Sequence, residues 1–204
     1  EQGFWIVLDL CYEHLVYDDV PHNLPRVLSE NIPGQFVLVG SLSKTYAMTG
    51  WRCGWAIGPE IFISACDAIQ SHVTSNVSSV TQRAGIVALT ESQKCVTDMR
   101  ESYRERRDQL MGWVRDELGI RCVRPGGAFY LFLDVSDLLS PGELRTSANL
   151  AEALLREAHV AVTPGEAFDA PGFLRISYAT ALVRLREGVT RIKTFMKRRR
   201  VSDG

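Results

Sequence analysis

The feature that most constrains this chain is the passage from Phe36-Val37-Leu38-Val39-Gly40 into Ser41-Leu42-Ser43-Lys44-Thr45-Tyr46. A valine-rich apolar run this short fits a buried strand better than a helix. Where such a strand ends, it delivers two hydroxyls and a lysine at its carboxyl end, the place where open α/β sheets bind ligands. Lys44 lies between this run and the next one, Cys53-Gly54-Trp55-Ala56-Ile57-Gly58, rather than on a charged surface.

Desolvation weakens the preference of an ammonium for its charged form, and a free amine is a nucleophile toward aldehydes. Ser41 and Ser43 upstream and Arg52 downstream supply donors for a phosphate, Arg52 through two parallel bonds from its planar fork. Pyridoxal 5′-phosphate (PLP) is an aldehyde that carries a phosphate, and proteins hold it as a Schiff base to lysine. A bare Ser-x-Ser-Lys describes equally well a strand-to-loop junction whose lysine stem reaches for water.

The longer run, Ser41-Leu42-Ser43-Lys44 followed by Ala47-Met48-Thr49-Gly50-Trp51-Arg52-x-Gly54, resembles the cofactor-lysine segment of the class I/II aminotransferases, in particular the aspartate aminotransferase branch. The resemblance implies that Lys44 is the Schiff-base lysine and that Ser41 and Arg52, helped by Ser43, bind the cofactor phosphate. It also implies fold type I, a mostly parallel sheet with helices on both faces plus a smaller α+β carboxy-terminal domain.

Asp9 ends the apolar run Phe4-Trp5-Ile6-Val7-Leu8, expected to be a buried strand. An ionised carboxylate there needs a cation or good hydrogen bonds, and aspartate at a strand end is also a common turn former. Asp9-x-x-Tyr12 resembles the family's pattern, which implies that Asp9 holds the cofactor ring nitrogen protonated and Tyr12 bonds the phenolic oxygen. Leu10 stands where the family most often has an acidic residue, and it is assigned no role.

Arg175 interrupts the apolar run Phe173 to Tyr178, where a guanidinium needs either an ion pair or an anionic ligand. With Arg124-Pro125-Gly126-Gly127-Ala128-Phe129-Tyr130 and Thr163-Pro164-Gly165 upstream, Arg175 resembles the family residue that grips a substrate α-carboxylate.

The chain has 204 residues, 46% of them apolar, and a formal net charge of −1, values that fit a packed globular protein and not a disordered or general nucleic-acid-binding one. Five cysteines without a Cys-x-x-Cys pair speak against a disulfide framework and a zinc site, which favours a reducing, cytoplasmic setting. No apolar segment reaches membrane-spanning length. The basic ending Lys197-Arg198-Arg199-Arg200 is read as a solvated helix end rather than a nucleic-acid contact.

Three parts are expected: residues 1–92 as the second half of a cofactor-binding domain, 93–118 as a long connecting helix, and 119–204 as the small domain. Residues 21–33 read as loop with at most one short helix near Arg26 to Asn31; His14 and His22 are given no role. A strand so near residue 1 suggests partners encoded upstream, and family members run to roughly twice this length, so the chain is expected to be a carboxy-terminal half.

The resemblance implies a homodimer in which the loop near Thr74-Ser75-Asn76 approaches the partner's cofactor. It implies ping-pong transfer between an amino acid, aspartate by branch, and a 2-oxo acid, with Lys44 as general base. A carbon-sulfur β-lyase, a cofactor-sensing regulator domain and an inert remnant are the competing readings. The chain alone is expected to bind PLP weakly and turn over poorly.

Overall fold

The computed structural model describes residues 3–18, 24–31, 34–140 and 142–202, and it divides into two compact units, Glu1–Arg100 and Glu101–Gly204. His22 and the prolines Pro21 and Pro33 lie outside the described residues.

The first unit is built on a three-stranded sheet in the order β1 (Ile6–Asp9), β2 (Phe36–Ser41), β3 (Gly54–Ile57). β1 and β2 run parallel, joined by a crossover that carries α1 (Leu24–Asn31). The chain then doubles back, so that Ser41 faces Gly54 and β3 runs antiparallel to β2. Among the described residues this sheet is thus mixed, with one parallel and one antiparallel pairing, where the resemblance implies a mostly parallel sheet for the whole fold. Val37 is fully buried at its centre.

Between β2 and β3 stand a four-residue helix, α2 (Leu42–Thr45), and a 3-10 turn at Thr49–Trp51. α3 (Glu60–Val73) and α4 (Ser79–Thr90) follow, each longer by a few residues than their apolar spacing outlines. The spacing of Ile61, Ala65 and Ile69 does mark a helix, but that stripe faces outward, with Ile61 77% exposed. The expected burial of β1 also fails. Among the described residues β1 pairs with β2 alone, and Phe4 (70% exposed) and Val7 (57%) lie open to solvent. An apolar strand of this kind is the sequence signature of a covered element, and here the described residues leave it bare.

α5 (Lys94–Trp113) runs on through a π-helical turn at Val114–Leu118, and Gly119 ends it with φ +67° and its N–H bonded to the Val114 carbonyl. The second unit carries a fully antiparallel sheet in the order β4 (Arg121–Cys122), β5 (Tyr130–Asp134), β7 (Phe173–Ser177), β6 (Thr163–Pro164). Side chains alternate across it: Leu131, Leu133 and Leu174 are buried, whereas Tyr130, Phe132 and Arg175 on the other face are half-buried. α6 (Ser147–Ala158) packs on β6, on β7 and on α7 (Leu182–Ser202), and α7 packs on the π-helical turn. Leu150 and Leu154 of α6 and Leu185, Val189, Ile192 and Phe195 of α7 complete this core. Hydrogen bonds from Arg186 and Lys193 on α7 hold the Glu117 carboxyl down to about 2.

Gly165 opens the short 3-10 segment Gly165–Phe168 in a space that admits no side chain: a Cβ would stand 2.0 Å from the Ala170 carbonyl oxygen and 2.9 Å from Phe173. Because the obstacle is backbone, it cannot swing aside. Gly165→Ala is expected to cost this unit about 1–3 kcal/mol, read as faster hydrogen exchange of the Ala170 and Leu174 amides. Unchanged protection would show that the loop relaxes freely.

Candidate functional site

In the first unit, Ser41 ends β2 and caps α2: its hydroxyl accepts from the Ser43 N–H at 3.3 Å. Leu42 and Thr45 are buried and anchor the short helix, leaving Ser43 and Lys44 half-buried on it. Lys44 therefore sits one turn beyond the strand end rather than on it. Its Nζ lies 5.9 Å from the centre of the Tyr12 ring. Tyr12 belongs to the turn after β1, where the Leu10 N–H bonds to the Val39 carbonyl and ties this turn to the end of β2.

Asp9 closes β1 and accepts from the Cys11 N–H at 2.9 Å. The residue is exposed, so its charge carries none of the burial cost expected from the sequence, and it stands as an accessible acceptor at the strand's end. Burial, followed by the Asp9 carboxylate, pushes the Cys11 thiol up to about 11 and keeps it protonated and unreactive near neutral pH.

Arg52 follows the 3-10 turn with φ +52°, and Ala47 before that turn has φ +54°. Two non-glycine residues in the left-handed region within six positions cost about 1 kcal/mol or more each, strain that collects at functional loops. One Arg52 nitrogen bonds the Thr49 carbonyl at 3.0 Å, and the remainder of the exposed guanidinium has no carboxylate partner among the described residues. Because Ser41 pairs with Gly54, Ser41 and Arg52 stand at adjoining ends of β2 and β3, with Ser43 one step into α2. An amine, a neighbouring phenol, two hydroxyls, a guanidinium and a carboxylate form a donor and acceptor set that fits PLP.

Arg175 belongs to the second unit. On β7 it stands opposite Phe132 of β5 and Thr163 of β6. Its guanidinium carbon lies 4.4 Å from the Tyr130 ring centre and 4.4 Å from that of Phe168. Phe132 stacks on Phe173 at 5.0 Å and meets Phe168 edge-on at 6.0 Å. The ion pair considered from the sequence is not there: among the described residues no carboxylate pairs with Arg175. Two rings offset part of the cost of half-burying the cation while leaving its in-plane N–H groups unspent.

Four residues around this site escape sequence reasoning. Tyr130 and Phe168 read as ordinary apolar residues, since only the β5–β7 register and the fold of the Gly165–Phe168 segment bring them to Arg175. Arg107 is fully buried and donates to the Pro125 carbonyl at 2.9 Å and to Asp108 at 2.8 Å. The Tyr178 hydroxyl donates to the Ala128 carbonyl at 3.2 Å, so both ends of the loop before Tyr130 are held.

The sequence matches the family Aminotransferase class I and II over residues 1–192. The chain belongs to that family. It is 43% identical to the aspartate aminotransferase of Streptomyces avermitilis over 96% of this chain and 49% of that protein, and 40% identical to that of Geobacillus stearothermophilus over 97% and 50%. The crystal structure of the aspartate aminotransferase from Rhizobium meliloti superposes with a TM-score of 0.89 at 39% identity, over 95% of this chain and 50% of that one. The chain thus spans about half the length of the relatives it matches. Members of this family use PLP. Among the described residues no helix is long and apolar enough to cross a membrane, and no cluster of side chains is arranged to hold a metal ion.

Proposed function

We propose that this chain carries the cofactor lysine and the substrate-carboxylate arginine of a PLP-dependent aminotransferase that moves an amino group between an L-amino acid and a 2-oxo acid. The observation that carries this reading is Lys44, half-buried beside Tyr12 one turn past a strand end, with Ser41, Ser43 and Arg52 alongside. Bound PLP supplies an electron sink for the charge left on the substrate Cα.

This chain's residues take the following parts. Lys44 Nζ would anchor the cofactor covalently and, once released, would take the proton from the substrate Cα and deliver it to the carbon that was the cofactor's aldehyde. Asp9 holds the proton on the ring nitrogen, Tyr12 donates to the ring hydroxyl oxygen, and Ser41, Ser43 and Arg52 hold the phosphate. Arg175, its guanidinium set against the Tyr130 and Phe168 rings, takes the substrate α-carboxylate on its in-plane N–H groups and so orients the bond that breaks. The half-reactions alternate, as in ping-pong kinetics.

Aspartate is the amino donor favoured by the names of the relatives. The working assembly is a cytoplasmic homodimer, and the chain alone holds PLP weakly. The exposure of Phe4, Val7 and Ile61 in the first unit supports that last point, because an incompletely covered sheet holds its loops loosely.

A chimera tests the reading: the amino-terminal half of the Streptomyces avermitilis enzyme joined to this chain. With aspartate and 2-oxoglutarate the expected result is amino transfer with the parallel double-reciprocal lines of a ping-pong mechanism. A folded, PLP-loaded chimera that transfers no amino group would sink the proposal. Release of pyruvate and ammonia from cystathionine in place of transfer would assign a β-lyase instead.

A further inference from the structure

Arg175 sits on a central strand and Tyr130 reaches it through a fixed β5–β7 register, but Phe168 comes from the irregular segment Gly165–Phe168, which has no ladder to hold it. What holds it is a pair of side chains. The Ser147 hydroxyl, fully buried at the start of α6, donates to Glu166 Oε2 at 2.7 Å and accepts from the Gly172 N–H at 2.9 Å. Glu166 Oε1 accepts from the Ala148 N–H at 3.3 Å, so the carboxylate binds the first turn of α6 with both oxygens. The Ala170 N–H closes the loop onto the Gly165 carbonyl at 3.0 Å.

We propose that Glu166 and Ser147 form a latch that sets Phe168 against Arg175, making both of them positioning residues for the guanidinium. The proposal rests on the role given to Arg175 above. Glu166 is exposed and contributes nothing to the core, so its replacement leaves the fold standing. Once the latch opens, the segment carrying Phe168 two residues downstream is no longer pinned to α6. Arg175 then loses one of its two plates and the preorganisation they supply.

The test uses the full chain labelled with ¹⁵N-arginine, following the Arg175 Nε–Hε signal, assigned by its disappearance in Arg175→Lys. Two rings at 4.4 Å shift that signal upfield. Glu166→Ala and Ser147→Ala are expected to move it toward the position of solvent-exposed arginines, as Phe168→Leu does. Glu166→Gln should restore it in part, because an amide oxygen accepts from Ser147 while the amide NH₂ cannot accept from Ala148.

An unmoved signal in Glu166→Ala overturns the latch, and so does equal displacement in Glu166→Gln, which would assign the effect to lost charge. The spectra need neither cofactor nor substrate. Titration of the same sample with maleate reports the role of Arg175 separately. A response of its signal supports that role, and none overturns it, while the latch is decided by the variant spectra.

Discussion

Lys44→Ala is expected to abolish covalent capture of PLP. After incubation with the cofactor and reduction with borohydride, the parent chain should carry a phosphopyridoxyl group on the peptide that contains residue 44, and the variant should carry none there. The side chain is half-buried beside Tyr12, whereas Lys94 is exposed on α5. An amine in a site that also offers phosphate donors reacts selectively, because binding raises the local concentration of the aldehyde. The fold should hold, since α2 is anchored by Leu42 and Thr45, and stability should stay within about 1 kcal/mol of the parent. In the chimera the same substitution should lower kcat by about a thousandfold or more, since general base and covalent anchor are lost together. A variant that takes up PLP covalently in the parent's yield and at its rate, on other lysines, or that keeps its turnover, would remove Lys44 from the chemistry.

The parts of this site that could be read from sequence are those whose neighbours in space are neighbours in the chain. Ser41, Ser43, Lys44 and Arg52 fall within twelve residues, and the one pairing needed to bring Arg52 beside the hydroxyls is the Ser41 to Gly54 register of consecutive strands. Asp9 and Tyr12 are joined to them by a single parallel pairing, β1 on β2. Arg175 could be singled out because a charge inside an apolar run demands a partner. What it finds is not a carboxylate but two rings, brought from 45 residues upstream in one case and 7 upstream in the other. Nothing local marks Tyr130 or Phe168 for that task.

Apolar spacing marks β1, β2, β7 and the long helix α5 with its π-helical turn to within a few residues of their ends. It did not say which faces would be covered. The stripe on α3 and Ile6 and Val7 of β1 have the composition of buried elements and lie exposed, since period reports what a surface is suited to and not what lies against it. The Ser147–Glu166 pair was invisible for a related reason: a serine and a glutamate nineteen residues apart carry no pattern until the loop from Gly165 to Gly172 folds back onto α6.

Arg107 is where a signal was present and could have been used. Along α5, Tyr103, Leu110, Val114 and Leu118 mark the inward stripe, and position 107 falls on it, four residues after Tyr103 and three before Leu110. A guanidinium there must be buried, and it is, at 0% exposure. Its hydrogen bond to the Pro125 carbonyl fixes the loop that leads into Tyr130 and so into the Arg175 site. Arg107→Ala is expected to remove about 3–5 kcal/mol from the second unit, through the void left by a long side chain and the carbonyl left unsatisfied. Arg107→Met fills most of that volume and loses only the polar contacts, so its cost should be smaller, about 1–3 kcal/mol. Hydrogen exchange of the Leu131, Leu133 and Leu174 amides reads both values, and the Val37 and Leu38 amides of the first unit serve as the internal control. If methionine matches the parent, packing holds this loop and the guanidinium's bonds do no more than offset its own desolvation. If methionine costs nearly as much as alanine, the bond to Pro125 is what keeps the loop, and Tyr130 with it, in place.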